Sequence, residues 1–287
     1  MFYNVKLAQL KEHHILGFLE TLASSELSYP TIVNYLSGLK AAFHKYQLQL
    51  ALLETKNVNW MLLSSMSKNL PYCPRHKGVF SIDQLVAIVR CCDSLPHPLL
   101  YRAIFLLAFH GFFRLSNLVP SSQTTFDVTR HLARGDVVSA SPGMHILLKW
   151  SKTLQKSNNV KTVPLALIPN SRLCPVTALK AMMAAYPAGH NQPMFCIPKG
   201  KSITTVTQSQ VRTVLAVIVK KLHLSPTQFG FHTFRRSGAS LAFQNHVPLQ
   251  DIQSHGTWLS QAVWSYIQPA LSTTNVPTTF RHLMADY

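Results

Sequence analysis

Acidic residues are scarce in this chain: ten Asp or Glu stand against 27 Lys or Arg over 287 residues, a formal charge of +17. Between Asp136 and Asp251 there is not one acid across 114 residues, while the same stretch carries 13 Lys or Arg. A one-signed field of this kind attracts polyanions and releases counterions from a phosphate backbone, so nucleic acid is the expected partner. The scarcity also argues against a carboxylate-metal nuclease or transposase, which needs two or three converging acids. Five cysteines form no Cys-x-x-Cys pair. Their odd number fits reduced thiols in an intracellular protein. Cys73 and His76 have a ligand-like gap, but the adjacent Cys91 and Cys92 make no matching half, so zinc is not expected. No long apolar run occurs, since Leu99 to Phe113 is broken by Arg102 and His110 and is too short to cross a bilayer. The N-terminus has no apolar signal core, so secretion is not expected. With 47% hydrophobic residues the chain is nonetheless no disordered basic tail.

The pattern along the chain is mainly helical. Leu7, Leu10, His14, Phe18 and Leu22 recur at helical spacing, and a break at Ser28-Tyr-Pro-Thr31 starts a second stripe through Ile32, Tyr35, Leu36, Leu39, Phe43 and Tyr46. A third helix is expected near 57–68. The face opposite the second stripe carries Lys40, His44 and Lys45, free to touch a backbone. Two prolines, a glycine and three basic groups over 69–80 read as a linker. Beyond it, helices are expected over about 81–92, with Ser81 and Gln84 as a capping box, and over 98–109, 175–186, 207–222, 232–245, 248–254 and 259–267. Met144–Trp150 and Val160–Leu165 are β-like and flank a polar loop, hence a hairpin.

Six residues in this order could attack a phosphodiester: Arg114, Lys152, His232, Arg235, Trp258 and Tyr266. A tyrosine supplies a phenol nucleophile, and two arginines hold a phosphate and neutralise the charge it gains. Lys152 would protonate the departing 5′ hydroxyl, and His232 would shuttle or share a proton. Arg114 is placed at the end of an apolar helix, with Asp127 the nearest downstream acid, so a phosphate oxygen is the more attractive partner. His232 and Arg235 stand three apart on one helix face, followed by the small Ser237, Gly238 and Ala239, which allow close approach. Trp258 offers an indole N–H and an apolar face. Taken singly, Lys152 is an ordinary turn lysine and Tyr266 a half-buried core tyrosine; the ordered set carries the weight. No metal or nucleotide cofactor is required.

That set resembles the tyrosine recombinase (phage integrase) family, whose motifs run Arg, hairpin Lys, His-x-x-Arg, His or Trp, then Tyr. Gly111-Phe-Phe-Arg114-Leu-Ser-Asn-Leu118 looks like its first arginine box, Trp150-Ser-Lys152-Thr like its hairpin lysine, and His232-Thr-Phe-Arg235 like its His-x-x-Arg helix. His255-Gly-Thr-Trp258 with Trp264-Ser-Tyr266-Ile resembles the final box. The likeness covers roughly 75–270, and residues 28–46 resemble the helical core-binding domain in front. The Ser-Lys-Thr hairpin, Leu173-Cys-Pro-Val176 and the tryptophan look closest to eukaryotic mobile-element (Crypton-like) members. Asn117 stands where the family usually has an acid that orients the first arginine, so Arg114 is expected to be held less rigidly. The front module is short, and we expect the first helix of the usual DNA clamp to be missing.

The resemblance implies a mainly α fold with a small antiparallel β-sheet. A helical core-binding (SAM-like) domain over 1–70 and a linker over 71–80 would precede a tyrosine recombinase catalytic domain over 81–287. It implies site-specific cleavage and rejoining of double-stranded DNA through a 3′-phosphotyrosine, independent of metal and ATP, by a homo-oligomer (a tetramer) on DNA. Lys149, Lys156, Lys161, Arg236, Lys40 and Lys45 are the expected backbone contacts. The nucleus is the expected compartment if the source is eukaryotic, otherwise the cytoplasm or nucleoid. A catalytically silent DNA-binding protein derived from such a recombinase is the alternative, and a type IB topoisomerase shares the chemistry.

Overall fold

The computed structural model describes residues 11–25, 27–46, 64–68, 77–150, 160–200, 202–258 and 261–267. The chain divides into two compact units, Met1–Arg75 and His76–Tyr287.

The first unit contains α1 (Glu12–Ser24) and α2 (Tyr29–Lys45), with a further helical turn at 64–68. Pro30 in the first turn of α2 has its φ preset for a helix and gives up an N–H that would be unpaired there. The spaced apolar residues meet in a small core of Ile15, Leu19, Leu22, Ile32, Leu36 and Met66. Tyr35 and Tyr46, expected in that stripe, are instead exposed, at 53% and 61%. A phenol can sit at the edge of an apolar face with its hydroxyl in water. Lys40 and Lys45 are exposed on α2. Leu7, Leu10 and residues 57–63 of the expected helices lie outside the described residues.

The second unit is built round α4 (Pro98–His110), preceded by α3 (Ile82–Cys92). Ser81 caps α3 as expected, its Oγ accepting from Gln84 N at 3.1 Å while Ser81 N donates to Gln84 Oε1 at 3.0 Å. Leu100 and Ala103 to Ala108 of α4 are fully buried, and a helix apolar all round belongs inside. The short α5 (Leu115–Leu118) follows, then strands β1 (Val137–Ala140), β2 (Gly143–Leu148) and β3 (Lys161–Ala166), then α6 (Pro175–Ala185). Strands β4 (Cys196–Lys199) and β5 (Ser202–Thr205) lead to α7 (Gln208–Lys221), α8 (Phe231–Gln244) and α9 (Leu249–Gly256).

The expected hairpin is β2–β3, antiparallel with Ile146 opposite Val163. Met144, Ile146 and Leu148 alternate into the core, as one buried face requires. Strand β1 was not expected and extends this sheet to the order β1-β2-β3; β4 and β5 form a separate antiparallel pair. The segment over 261–265 is a 3₁₀ helix rather than part of an α-helix. The last residues of the expected linker are also ordered against the second unit. Gly78 N donates to the Gln228 carbonyl at 3.1 Å, Phe80 N donates to Ser237 Oγ at 2.7 Å, and the Phe80 ring is buried against Phe234. No helix among the described residues is long and apolar enough to cross a membrane.

Candidate active site

The candidate residues meet where α8 passes the end of α4 and the segment after α9. Gly238 makes the closeness possible: a Cβ there would collide with the Phe109 carbonyl and the Phe112 ring. Phe112, Ala239, Ile252, Trp258, Val263 and Ile267 pack into a second core, against which Tyr266 lies. The final motif is thereby fastened to α8.

Arg114 lies beyond the end of α4, as the N-cap of α5, and not at the end of the apolar helix where the sequence placed it. Asn117 is 3% exposed and bonded twice. Its Oδ1 accepts from Arg114 N at 2.9 Å and its Nδ2 donates to the Trp150 carbonyl at 3.4 Å. Asn117 thus fixes the Arg114 backbone and ties it to the last residues before the hairpin loop. The Arg114 guanidinium receives no carboxylate from it.

Arg235 is 1% exposed on α8, so each N–H group needs a partner or pays desolvation. Nη1 donates to the Phe112 carbonyl, and Nη2 donates to the Gly256 carbonyl at 2.7 Å. Phe112 has φ 49° and Thr257, just after Gly256, has φ 58°. Left-handed backbone is uncommon for such side chains, and here it occurs at both segments that hold the arginine. The guanidinium carbon lies 3.7 Å from the centre of the Trp258 ring and 5.2 Å from that of Tyr266. Burial and the neighbouring Arg114 charge bring the Arg235 pKa down to about 9. Two arginines with no acid between them are an unbalanced pair awaiting an anion.

Five buried side-chain donors among the described residues lack a hydrogen-bond partner, and three of them belong here: Arg114 Nη1, Arg235 Nε and Trp258 Nε1. Each such group costs about 1–3 kcal/mol. Oxygen atoms of a phosphate are the acceptors that a set of cationic and indole N–H groups would satisfy.

Tyr266 Oη lies 3.3 Å from His232 Nε2. One edge of the His232 ring is open to solvent. Its packing against the protein, and then the charges of Arg235, Arg114, Arg236 and Lys77, push its pKa down to about 4. His232 is therefore neutral at physiological pH and, with its proton on Nδ1, accepts from the phenol. Ser240 Oγ donates to the Tyr266 carbonyl at 3.2 Å, which holds the segment to α8. His255 Nε2 lies 2.8 Å from the His110 carbonyl and its ring meets Phe112 edge-on, so it supports the Phe112 turn.

Five of the six expected catalytic residues thus share one site; Lys152 lies outside the described residues, as does Lys156. Of the expected backbone contacts, Lys149 is bound to Asp136 at 2.7 Å. Lys161 Nζ donates to Ser254 Oγ at 3.0 Å, linking β3 to α9. The Arg236 guanidinium carbon lies 5.9 Å from the centre of the Tyr266 ring, and in the first unit Lys45 Nζ lies 5.8 Å from the centre of the Tyr46 ring. The sequence did not point to the Phe112 and Gly256 carbonyls, because a main-chain acceptor leaves no mark on residue type. Lys77 and Arg212, which also reach the Tyr266 side of the site, lie outside the recognised motifs.

This is the fold of the tyrosine recombinases and integrases. Over 97% of this chain and 87% of the other, it superposes on the integrase of transposon Tn1549 in complex with transposon right-end DNA, with a TM-score of 0.61 at 15% identity. XerH recombinase bound to its difH substrate gives 0.59 at 20% identity, over 95% of this chain and 71% of that one. A lambda integrase dimer on a core site gives 0.57 at 14%, over 91% and 65%. No family model matches the sequence, and no curated protein is similar to it.

Proposed function

We propose that this protein is a site-specific DNA recombinase that cuts and rejoins strands through a 3′-phosphotyrosine. The observation that carries the reading is the phenol oxygen of Tyr266 at 3.3 Å from a neutral His232, beside the unpartnered N–H groups of Arg114, Arg235 and Trp258. The scissile phosphate would take those donors. Tyr266 would pass its proton to His232 Nε2 as its oxygen bonds to phosphorus. The bond from phosphorus to the 5′ oxygen would break, with Lys152 supplying the proton that makes the 5′ hydroxyl. Return attack by a 5′ hydroxyl reverses each step, so the bond is conserved without a metal or ATP. Arg114 and Arg235, fixed in place before reaction, would stabilise the added negative charge.

The DNA would be double-stranded and the acting species a tetramer assembled on it. The three solved structures named above are complexes with DNA, which supports the choice of partner. The motif variants favour a eukaryotic mobile element, with the nucleus as the place of action. A silent DNA-binding descendant would bind the same DNA and never react.

The test is a nicked suicide substrate made from DNA selected with the protein, followed by a denaturing gel and peptide mapping. The wild type should trap a covalent adduct at Tyr266, and Tyr266→Phe should abolish it with binding nearly intact. Binding without any adduct would establish the silent alternative. An adduct mapping to another tyrosine would sink Tyr266.

A further inference from the structure

A cavity of about 490 Å³ opens beside His232 and Tyr266, which both line it. Lys77, Arg212 and Arg236 line it with those two residues, over an apolar floor of Leu115 and Phe231, and no acid is among the described residues of its wall. Among the described residues no acid pairs with any of the three cations. Lys77 Nζ donates to the Thr227 carbonyl at 3.3 Å and Arg212 Nη2 to Gln208 Oε1 at 3.2 Å, both uncharged acceptors. Arg236 lies against the Tyr266 ring. Like charges gathered round one hollow repel each other unless an anion joins them. The volume falls in the range of small-ligand sites and is roomier than a single oxyanion needs, and the apolar floor suits a sugar.

We propose that this cavity holds a second phosphate of the cut strand, adjacent to the one Tyr266 attacks, with Lys77, Arg212 and Arg236 as its ligands. The inference rests on the reading of Tyr266 as a nucleophile toward DNA. Its consequence is positional: two consecutive phosphates, one on the donors of Arg114, Arg235 and Trp258 and the next in this cavity, set where along the strand the phenol strikes. Lys77 and Arg212 thereby act as positioning residues. Both come from segments outside the catalytic motifs, Lys77 from the entry to the second unit and Arg212 from the exposed side of α7.

The test scans a single neutral methylphosphonate through each linkage flanking the scissile one, in the duplex recovered by selection, and measures binding by the wild type and Arg212→Ala. Arg212 is exposed and, among the described residues, is bonded to Gln208 on its own helix, so the fold tolerates its loss; Lys77→Ala gives an independent second variant. One adjacent linkage should weaken wild-type binding about tenfold when neutral, and Arg212→Ala about tenfold on normal DNA. Combined, the two should cost no more than either alone at that linkage, and should add at all others. Lys220→Ala, a change elsewhere on α7, should add at every linkage. Additive losses everywhere, no effect of Arg212→Ala, or no linkage that stands out each overturns the proposal. Adduct formation on unmodified DNA is scored separately, so failure of the nucleophile reading leaves the binding cycle interpretable.

Discussion

The Arg235 guanidinium carbon lies 3.7 Å from the centre of the Trp258 ring, so the most deeply buried cation of the site rests on an indole. Such a stack is worth up to about 2 kcal/mol when desolvated. The indole N–H is free for another acceptor. The two functions of Trp258 are therefore separable.

Trp258→Phe should keep an aromatic face under Arg235 while removing the N–H together with one of the two fused rings. Melting temperature should fall less than in Trp258→Ala, because part of the packing is kept, while the rate of adduct formation falls about 10²-fold, the usual loss for one preorganised donor. Trp258→Ala should lower both. Equal rates for Trp258→Phe and the wild type would show that the indole nitrogen makes no contact with the phosphate.

Gly238→Ala should destabilise the second unit by about 1–3 kcal/mol, because the added methyl meets the Phe109 carbonyl and the Phe112 ring. Displacing Phe112 also moves an acceptor of Arg235, so adduct formation should fall more than stability predicts. Calorimetry alongside the suicide assay measures both; an unchanged melting temperature would mean that α8 and α4 part easily.

Acid should destabilise the protein in a defined window. His110 and His232 have folded pKa values of about 4, and that of His255 is lowered too, mainly by burial. In the unfolded chain a histidine titrates near 6.5. The unfolded state therefore binds more protons once pH drops below about 6.5, and stability declines from there toward pH 4. Melting temperature measured from pH 8 to 4.5 should fall below pH 6.5, less steeply in His110→Gln. A flat profile would contradict the neutral folded state of these rings.

DNA affinity should fall steeply with salt, because uncompensated cations must meet phosphates. Arg236→Ala should reduce the slope of log Kd against log salt by about one. Lys149→Ala should barely change it, since Lys149 is already paired with Asp136 at 2.7 Å. Anisotropy titrations at several salt concentrations decide this, and equal slope changes would show that Lys149 leaves Asp136 for DNA.

The sequence revealed most helices because apolar spacing and a cap mark them: Ser81 with Gln84 fixes the start of α3, and Pro98 that of α4. It missed β1, β4 and β5, each four residues long, too short for alternation to emerge. Exposure of Tyr35 shows the limit of a stripe read without its partner surface. Within the site, side chains that carry charge or a nucleophile could be named from order alone. Asn117 read as a defect, yet its amide serves as both acceptor and donor, a use that needed the Trp150 carbonyl in view. The basic hollow beside Tyr266 draws Lys77 and Arg212 from places 135 positions apart, a distance in sequence that no motif spans.

The two acceptors that grip Arg235 are carbonyls of residues 112 and 256, and a carbonyl belongs to every amino acid. The grip can therefore survive exchange of the side chains around it, provided both turns keep their shape. Mutational scanning by residue type would pass over the anchor, reporting only the packing of Phe112 and the clearance at Gly256. Replacing either peptide bond by an ester, which weakens its carbonyl as an acceptor and leaves every side chain in place, would expose it.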